Sequence, residues 1–288
     1  MKAHAAGFTI IELVITMTIT TIVVAFAGLF IAGPVRGFTD QVRRAELVDS
    51  AESSLRRMGR DIRRALPNSV RVRDIGSIKA LELLNAVEGI RYRAGPPPGN
   101  ADAWLNFAAA DGAFNSIGLF DSITKPFSST THYLSVYNVG VPGADAYELT
   151  NVITPPGTEI EIEIITVGAP GEDRVTLNPA FQFAYPSPRQ RVYLIDTPVS
   201  FLCDTAAGTL TRYSGYAITS NQADRDTAAE LLAAGGTAAL MSDNLTTCTF
   251  IFTPGTAQRA GLVTLSLTVG QDGESIVLLQ QVHVDNVP

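Results

Sequence analysis

The sequence predicts an α+β fold: a long N-terminal helix, membrane-spanning in its first half and amphipathic in its second, followed by a mainly antiparallel β domain. Three observations carry this reading. From Phe8 to Ala32, 25 residues hold a single charge, Glu12. Residues 36–66 repeat apolar side chains every three or four positions, which is a helical stripe. Beyond Pro67 the period shortens toward two, in short runs rich in Val, Ile, Thr, Tyr and Phe separated by Gly, Pro, Asp and Asn.

Composition sets the scale. The 288 residues are 46% hydrophobic and 17% charged, enough for one membrane segment plus a sizeable soluble domain. The net charge of −7 is unevenly spread. Residues 36–66 carry eight Arg against five acids, whereas residues 67–288 carry twelve Lys or Arg against twenty-two Asp or Glu. A domain that acidic is a poor partner for nucleic acid, because neutralising phosphates needs excess cations.

The first element, Phe8 to Ala32, is long enough as a helix to span about 30 Å of hydrocarbon. An acid inside lipid costs up to roughly 2.5–3.5 kcal/mol and needs a partner. A cleaved secretory signal fits poorly. The leader MKAHAAG has one Lys, and Ala25-Phe26-Ala27 lies inside the apolar run rather than after it. A plain signal anchor fits the length and leaves Glu12 unexplained. A cut after Gly7 explains more. Phe8 would then carry an α-amino charge at the start of a helix, with Glu12 about one turn in. There the helix dipole favours the acid, which can pair with its own amine or that of a neighbouring subunit.

These residues resemble the cleavage and methylation motif of type IV pilins and type II secretion pseudopilins. The match runs through Gly7, Phe8, Thr9, Ile10, Ile11, Glu12 and Leu13, with Ile10 where leucine is more usual. The resemblance implies a pilin-like fold with residues 1–7 as leader. It implies cleavage by prepilin peptidase between Gly7 and Phe8, N-methylation of Phe8, and an assembly salt bridge through Glu12. The partners it implies are that peptidase, other major and minor pilins, the inner-membrane assembly platform and membrane lipid. The location it implies is a single pass of the inner membrane with a periplasmic C-terminal domain, and afterwards a pilus at the cell surface.

Residues 8–35 are thus expected as a transmembrane and filament-core helix, with residues 36–66 as its amphipathic continuation. The stripe of the second half is Phe38, Val42, Ala45, Val48, Ala51, Leu55, Met58, Ile62 and Leu66, and Arg and acids fill the rest as a solvated surface. Pro34 lacks an N–H and predicts a kink or loosened turn. The helix would run roughly 90 Å before Leu66-Pro67-Asn68 ends it.

Residues 67–288 form the expected β-rich globular domain. Two hairpins are clear, VSFLCDTAAGTLTRYSGY and GLVTLSLTVGQDGESIVLLQQV, and TAAELLAAGGTAALM reads as a short helix. Residues 95–188, broken by GPPPGN, PPG, APG and YPSP, read as loop-rich. Cys203 and Cys248 both lie in strand-like sequence. If the domain is exported they form a disulfide, which the loop-entropy treatment values at roughly 4 kcal/mol; the alternative is two buried thiols. In TEIEIEIITV, Glu159, Glu161 and Glu163 share one strand face. Calcium is the only cofactor for which such aligned carboxylates offer a candidate. A solvent-facing surface that discourages edge pairing is the stronger reading, because hard cations usually gather oxygens from loops. GQDGES reads as a hairpin turn ahead of a calcium loop.

Catalytic constellations are missing from the sequence. The histidines are His4, His132 and His283, and no G-x-S-x-G, glycine-rich phosphate loop, HExxH or CxxC occurs. His283, in an alternating strand, reads as structural, and Trp104 as core or surface anchor. The chain is expected to be a structural subunit, not an enzyme. The hairpin VSFLCDTAAGTLTRY resembles that of minor pilins and pseudopilins of the J and PilW type through Val199, Phe201, Gly208, Leu210 and Arg212. The stretch RAELVDSAESSLRRMGRDIRRALPNSVRV and the ending QVHVDNVP resemble minor pilin-like proteins of mannose-sensitive haemagglutinin (MSHA) pili. Residues 95–190 add little to that likeness, so what is particular to this protein is expected there. A type II secretion pseudopilin shares the same physics. A membrane-anchored periplasmic binding module or enzyme is the rival from another class.

Overall fold

The computed structural model describes residues 7–97, 100, 103–165, 171–256 and 259–286. Leader residues 1–6, and parts of the GPPPGN, APG and QVHVDNVP segments, lie outside the described residues. The chain divides into two units, Met1–Asp49 and Ser50–Pro288.

Helix α1 spans Ile10–Arg63, with Pro34 inside it. The proline removes one ladder donor, yet the helix continues on both sides rather than stopping there. It ends three residues short of Leu66 because the next backbone groups are taken by a strand. Leu66 N donates to Leu84 O at 2.8 Å, and Ala86 N donates to Arg64 O at 3.0 Å. The apolar stripe does not behave as one surface. Phe38, Val42 and Ala45 are exposed, whereas Ala51, Leu55, Met58, Ile62 and Leu66 are buried within the second unit.

In that unit, β1 (Arg71–Ile75), β2 (Ile78–Tyr92), β3 (Asp111–Ile117), β4 (Phe127–Ser129), β5 (Tyr133–Ser135), β6 (Glu159–Ile164), β7 (Asp173–Phe181), β8 (Arg191–Asp204), β9 (Thr209–Ser214) and β10 (Thr237–Ser242) form a ten-stranded sheet. Its order is β10-β9-β8-β2-β3-β7-β6-β4, with β1 on β2 and β5 on β8. Strands β11 (Leu245–Thr253), β12 (Gly261–Gln271) and β13 (Glu274–Val284) make a second sheet in chain order. These strand pairings are antiparallel, so the chain is α+β as its periodicity implies.

Both expected hairpins are present, β8 with β9 and β12 with β13. GQDGES is a two-residue turn at Asp272-Gly273, both at positive φ (53° and 84°), the mirror-image geometry that matches strand twist. Three expectations need correction. TAAELLAAGGTAALM splits at Gly235-Gly236: only Ala228–Ala233 is helix (α2), capped reciprocally by Thr227 and Glu230, and the second half becomes β10. The loop-rich stretch 95–188 holds β3 to β7 and much of one core cluster, including Phe114, Ile160, Ile162 and Val175. Apart from β6, whose alternation shows in TEIEIEIITV, and β5 within HYLSVYNV, its strands are too short or too often interrupted by Pro and Gly for alternation to show. Finally, β6 is not a free edge, because it lies between β7 and β4 along Ile160–Ile162. Its Glu161 and Glu163 do face solvent while Ile160 and Ile162 are buried. Among the described residues, no group of three or more His, Cys, Asp or Glu is arranged to hold a metal.

Three cross-links tie the pieces of this unit together. A disulfide joins Cys203 on β8 to Cys248 on β11, sewing one sheet to the other. Asp61 Oδ2, near the end of α1, meets Arg212 Nε of β9 at 2.7 Å. Gly59 of α1 faces β13 closely: a Cβ there would lie 2.9 Å from Gln280 Nε2 and 3.5 Å from Val282 Cγ2. A residue without a side chain is what permits that approach.

Candidate functional site

The N-terminal motif is built around the start of α1. Thr9 precedes the first helical residue, Ile10, and occupies the N-cap position. Its Oγ1 accepts a hydrogen bond from Glu12 N at 3.3 Å, and its carbonyl accepts from Leu13 N at 3.1 Å. Glu12 is therefore the third helical residue, where free N–H groups and the helix dipole favour a carboxylate. Sequence reasoning assigned Thr9 no task. The signal was there: Thr9-Ile10-Ile11-Glu12 is the T-x-x-E pattern of a capping box.

Gly7 and Phe8 lie before the helix in irregular backbone. The bond between them is thus outside the hydrogen-bonded ladder, where a peptidase can reach an extended chain. Phe8 is 73% exposed, and a Cβ on Gly7 would meet nothing within 4 Å. Packing among the described residues does not require glycine at position 7, so a requirement for a small residue would come from whatever binds it.

Downstream, the described apolar side chains from Ile10 to Val35 are exposed. The polar groups among them are answered internally. The hydroxyls of Thr16, Thr18, Thr20 and Thr21 donate to carbonyls three or four residues back at 2.7–2.9 Å. The helix is long and apolar enough to cross a membrane by length and composition. Glu12 is the exception: it is exposed, and its carboxylate has no partner among the described residues.

The β domain treats its charges differently. Glu82 of β2 is fully buried and faces Arg71 of β1 in the strand register, with Arg71 Nε 2.7 Å from Glu82 Oε2. Tyr216 Oη donates to Glu82 Oε1 at 3.0 Å, and Ser200 Oγ supports that hydroxyl at 2.7 Å. The Arg71 guanidinium also donates to the Thr219 and Ser220 carbonyls, both at 2.9 Å, and stacks 3.6 Å over the Tyr147 ring. Burial pushes the Glu82 carboxyl up from its ordinary range, and Arg71 pulls against that shift. A second buried pair, Lys125 with Asp173, stands at 2.6 Å.

The remaining described residues singled out by sequence lie apart from one another in the second unit. His132 is half-buried, 2.7 Å from Ser129 Oγ through Nδ1 and edge-on to Phe127, and burial lowers its pKa. His283 is exposed on β13, and Trp104 is half-buried. Gly208, Leu210 and Arg212 of the hairpin serve as the left-handed turn residue, a buried core residue and the partner of Asp61.

Residues 2–28 match the prokaryotic N-terminal methylation motif, the signal of type IV pilin-like precursors that prepilin peptidase processes. That match supports the pilin and pseudopilin family and covers the leader and the first part of α1. No curated protein and no solved structure matched the chain.

Proposed function

We propose that this chain is a minor pilin-like structural subunit of a type IV pilus, of the MSHA kind and similar to MshO. In this reading prepilin peptidase cuts between Gly7 and Phe8, Phe8 is N-methylated, and the subunit enters the filament at or near its tip. One observation carries it: the methylation motif coincides with a carboxylate, Glu12, that has no partner among the described residues and stands at the third position of α1, whose stretch to Val35 is otherwise uncharged and of membrane length. Cleavage creates an amine about one turn from that carboxylate. Pairing with this amine, or with that of a neighbouring subunit, removes the reason the acid is costly in lipid.

Residues 8–35 then pack in the filament core. The β domain, periplasmic before assembly, faces outward and contacts sister minor pilins. The chain is the substrate of a processing enzyme, not an enzyme itself, and needs no cofactor. The likeness of the β8–β9 hairpin to those of minor pilins and of pseudopilin J supports both a pilus and a secretion pseudopilus. Recovery in pili sheared from the cell surface is the outcome expected for the pilus.

Mass spectrometry of the membrane-extracted protein tests the processing step. The expected terminus is N-methylated Phe8; an intact Met1, or a terminus beyond residue 30, overturns the reading.

A further inference from the structure

Where α1 hands over to β2, a cleft of about 270 Å³ is lined by three arginines, Arg63, Arg64 and Arg191, together with Tyr193, Glu88 and Asp285. The backbone fixes the first two. Ala86 N bonds to Arg64 O, which pins the end of the helix to β2. Arg191 opens β8 directly opposite Arg91 in the register. Arg91 itself turns to Gln190, its Nη2 donating to Gln190 Oε1 at 3.2 Å, and is not among the residues lining the cleft.

The cations are not used up inside the chain. Arg63 and Arg64 have no side-chain partner among the described residues, and Arg191 has only the neighbouring Tyr193 hydroxyl. That hydroxyl is an anomaly in itself. Tyr193 is 7% exposed, and its Oη has no well-formed hydrogen bond. A buried donor without an acceptor loses its water and gains nothing in return. The ring is held in place by Gly89 of β2, its cross-strand partner, where a Cβ would come within 2.5 Å of Tyr193 Cε1. Burial raises the pKa of the phenol, so at neutral pH it remains a donor.

Two acids share the cleft. Glu88 is already engaged, its Oε2 accepting from Ser122 N at 2.9 Å. Three arginines against Glu88 and Asp285 leave one excess positive charge. That excess matches a monoanion and would be overcompensated by a dianionic phosphate.

We infer that this cleft binds a carboxylate, whose two oxygens meet the planar forks of Arg191, Arg63 and Arg64 while the Tyr193 hydroxyl donates to one of them. The carboxylate belongs either to a small free acid or to an acidic side chain of a neighbouring polypeptide. The site does not depend on the processing of the N-terminal motif.

The test uses the full chain in a non-ionic detergent, with ligand-observed saturation-transfer NMR. The probes are acetate and the blocked tripeptide acetyl-Ala-Glu-Ala-amide, with inorganic phosphate as competitor. Saturable binding of a carboxylate probe is expected, weakened about tenfold or more in Arg191→Gln and in the double variant Arg63→Gln/Arg64→Gln. Tyr193→Phe, which keeps the ring over Gly89, is expected to weaken binding several-fold without lowering the unfolding midpoint. A tripeptide that binds more tightly than acetate assigns the site to a polypeptide, and equal binding assigns it to a small acid. The inference is overturned if neither probe saturates on the wild-type chain, if the arginine variants bind as wild type does, or if phosphate competes more strongly than acetate.

Discussion

Glu12 and Glu82 are two carboxylates in apolar settings, and the chain handles them in opposite ways. Glu82 is fully buried but arrives with its partners: Arg71 across the strand pair, and Tyr216 backed by Ser200. Removing charge from water is tolerated there because ionic and hydrogen-bonding groups of the same domain replace the water. Glu12 opens a helix whose other described polar groups satisfy themselves, and it has no side-chain partner among the described residues. One acid completes a domain; the other leaves a segment chemically unfinished. A carboxylate whose partner is internal is suited to holding a molecule together, and one without a partner stays open to a cation from its own chain or from another.

The sharpest way to break this contrast is to delete each acid. Glu12→Ala is expected to leave processing after Gly7 and the thermal unfolding of the β domain unchanged, while the subunit disappears from purified filaments. Immunoblots of sheared pili against whole membranes read this directly, and normal incorporation would defeat the pairing argument. Glu82→Ala should do the reverse. It leaves the partly buried Arg71 guanidinium without its carboxylate and is expected to cost about 3 kcal/mol of stability in urea titrations. An apolar double replacement, Arg71→Met with Glu82→Leu, should regain most of that loss; if it does not, the pair contributes more than mutual compensation.

Smaller effects sharpen the picture. Thr9→Ala removes the N-cap and should weaken the first turn by about 1 kcal/mol, seen as faster amide exchange at Glu12 and Leu13. The pH response of the β domain is expected to report His132. Its pKa in the folded protein lies below the ordinary value of 6.5. As pH falls through 6.5 the unfolded chain therefore takes up the proton first. Stability is fully present above that pH and is lost as pH falls through the folded pKa. His132→Asn should flatten the decline of the urea midpoint between about pH 7 and pH 5.

The motif, the helix and the two hairpins were readable because each follows from local spacing. The rest depends on partners distant in sequence. Strand β2 looks helical, since IKALELLNAV is rich in Leu and Ala, and five consecutive residues, Ala80 to Leu84, are buried. A strand covered on both faces has no reason to alternate, so the usual signature is erased. The Arg71–Glu82 pair emerges only from the β1–β2 register. The carboxylate cleft depends on one helix end and two strands that the sequence does not show to be adjacent. Thr9 is different: its role follows from local spacing, because Thr9-Ile10-Ile11-Glu12 is a T-x-x-E pattern.

The contact between Gly59 and β13 also has a consequence in time. Gly59 belongs to the last turns of α1, whereas Gln280 and Val282 are among the final residues of the sequence. A chain synthesised from its N-terminus presents those turns roughly two hundred residues before the strand that meets them. Ser54, whose hydroxyl bonds to the Met241 carbonyl, waits nearly as long. The helix therefore stays uncovered on this side throughout synthesis. The fold closes late, by a strand arriving from the opposite end of the chain, so truncation anywhere in β13 should leave the domain open rather than merely shortened.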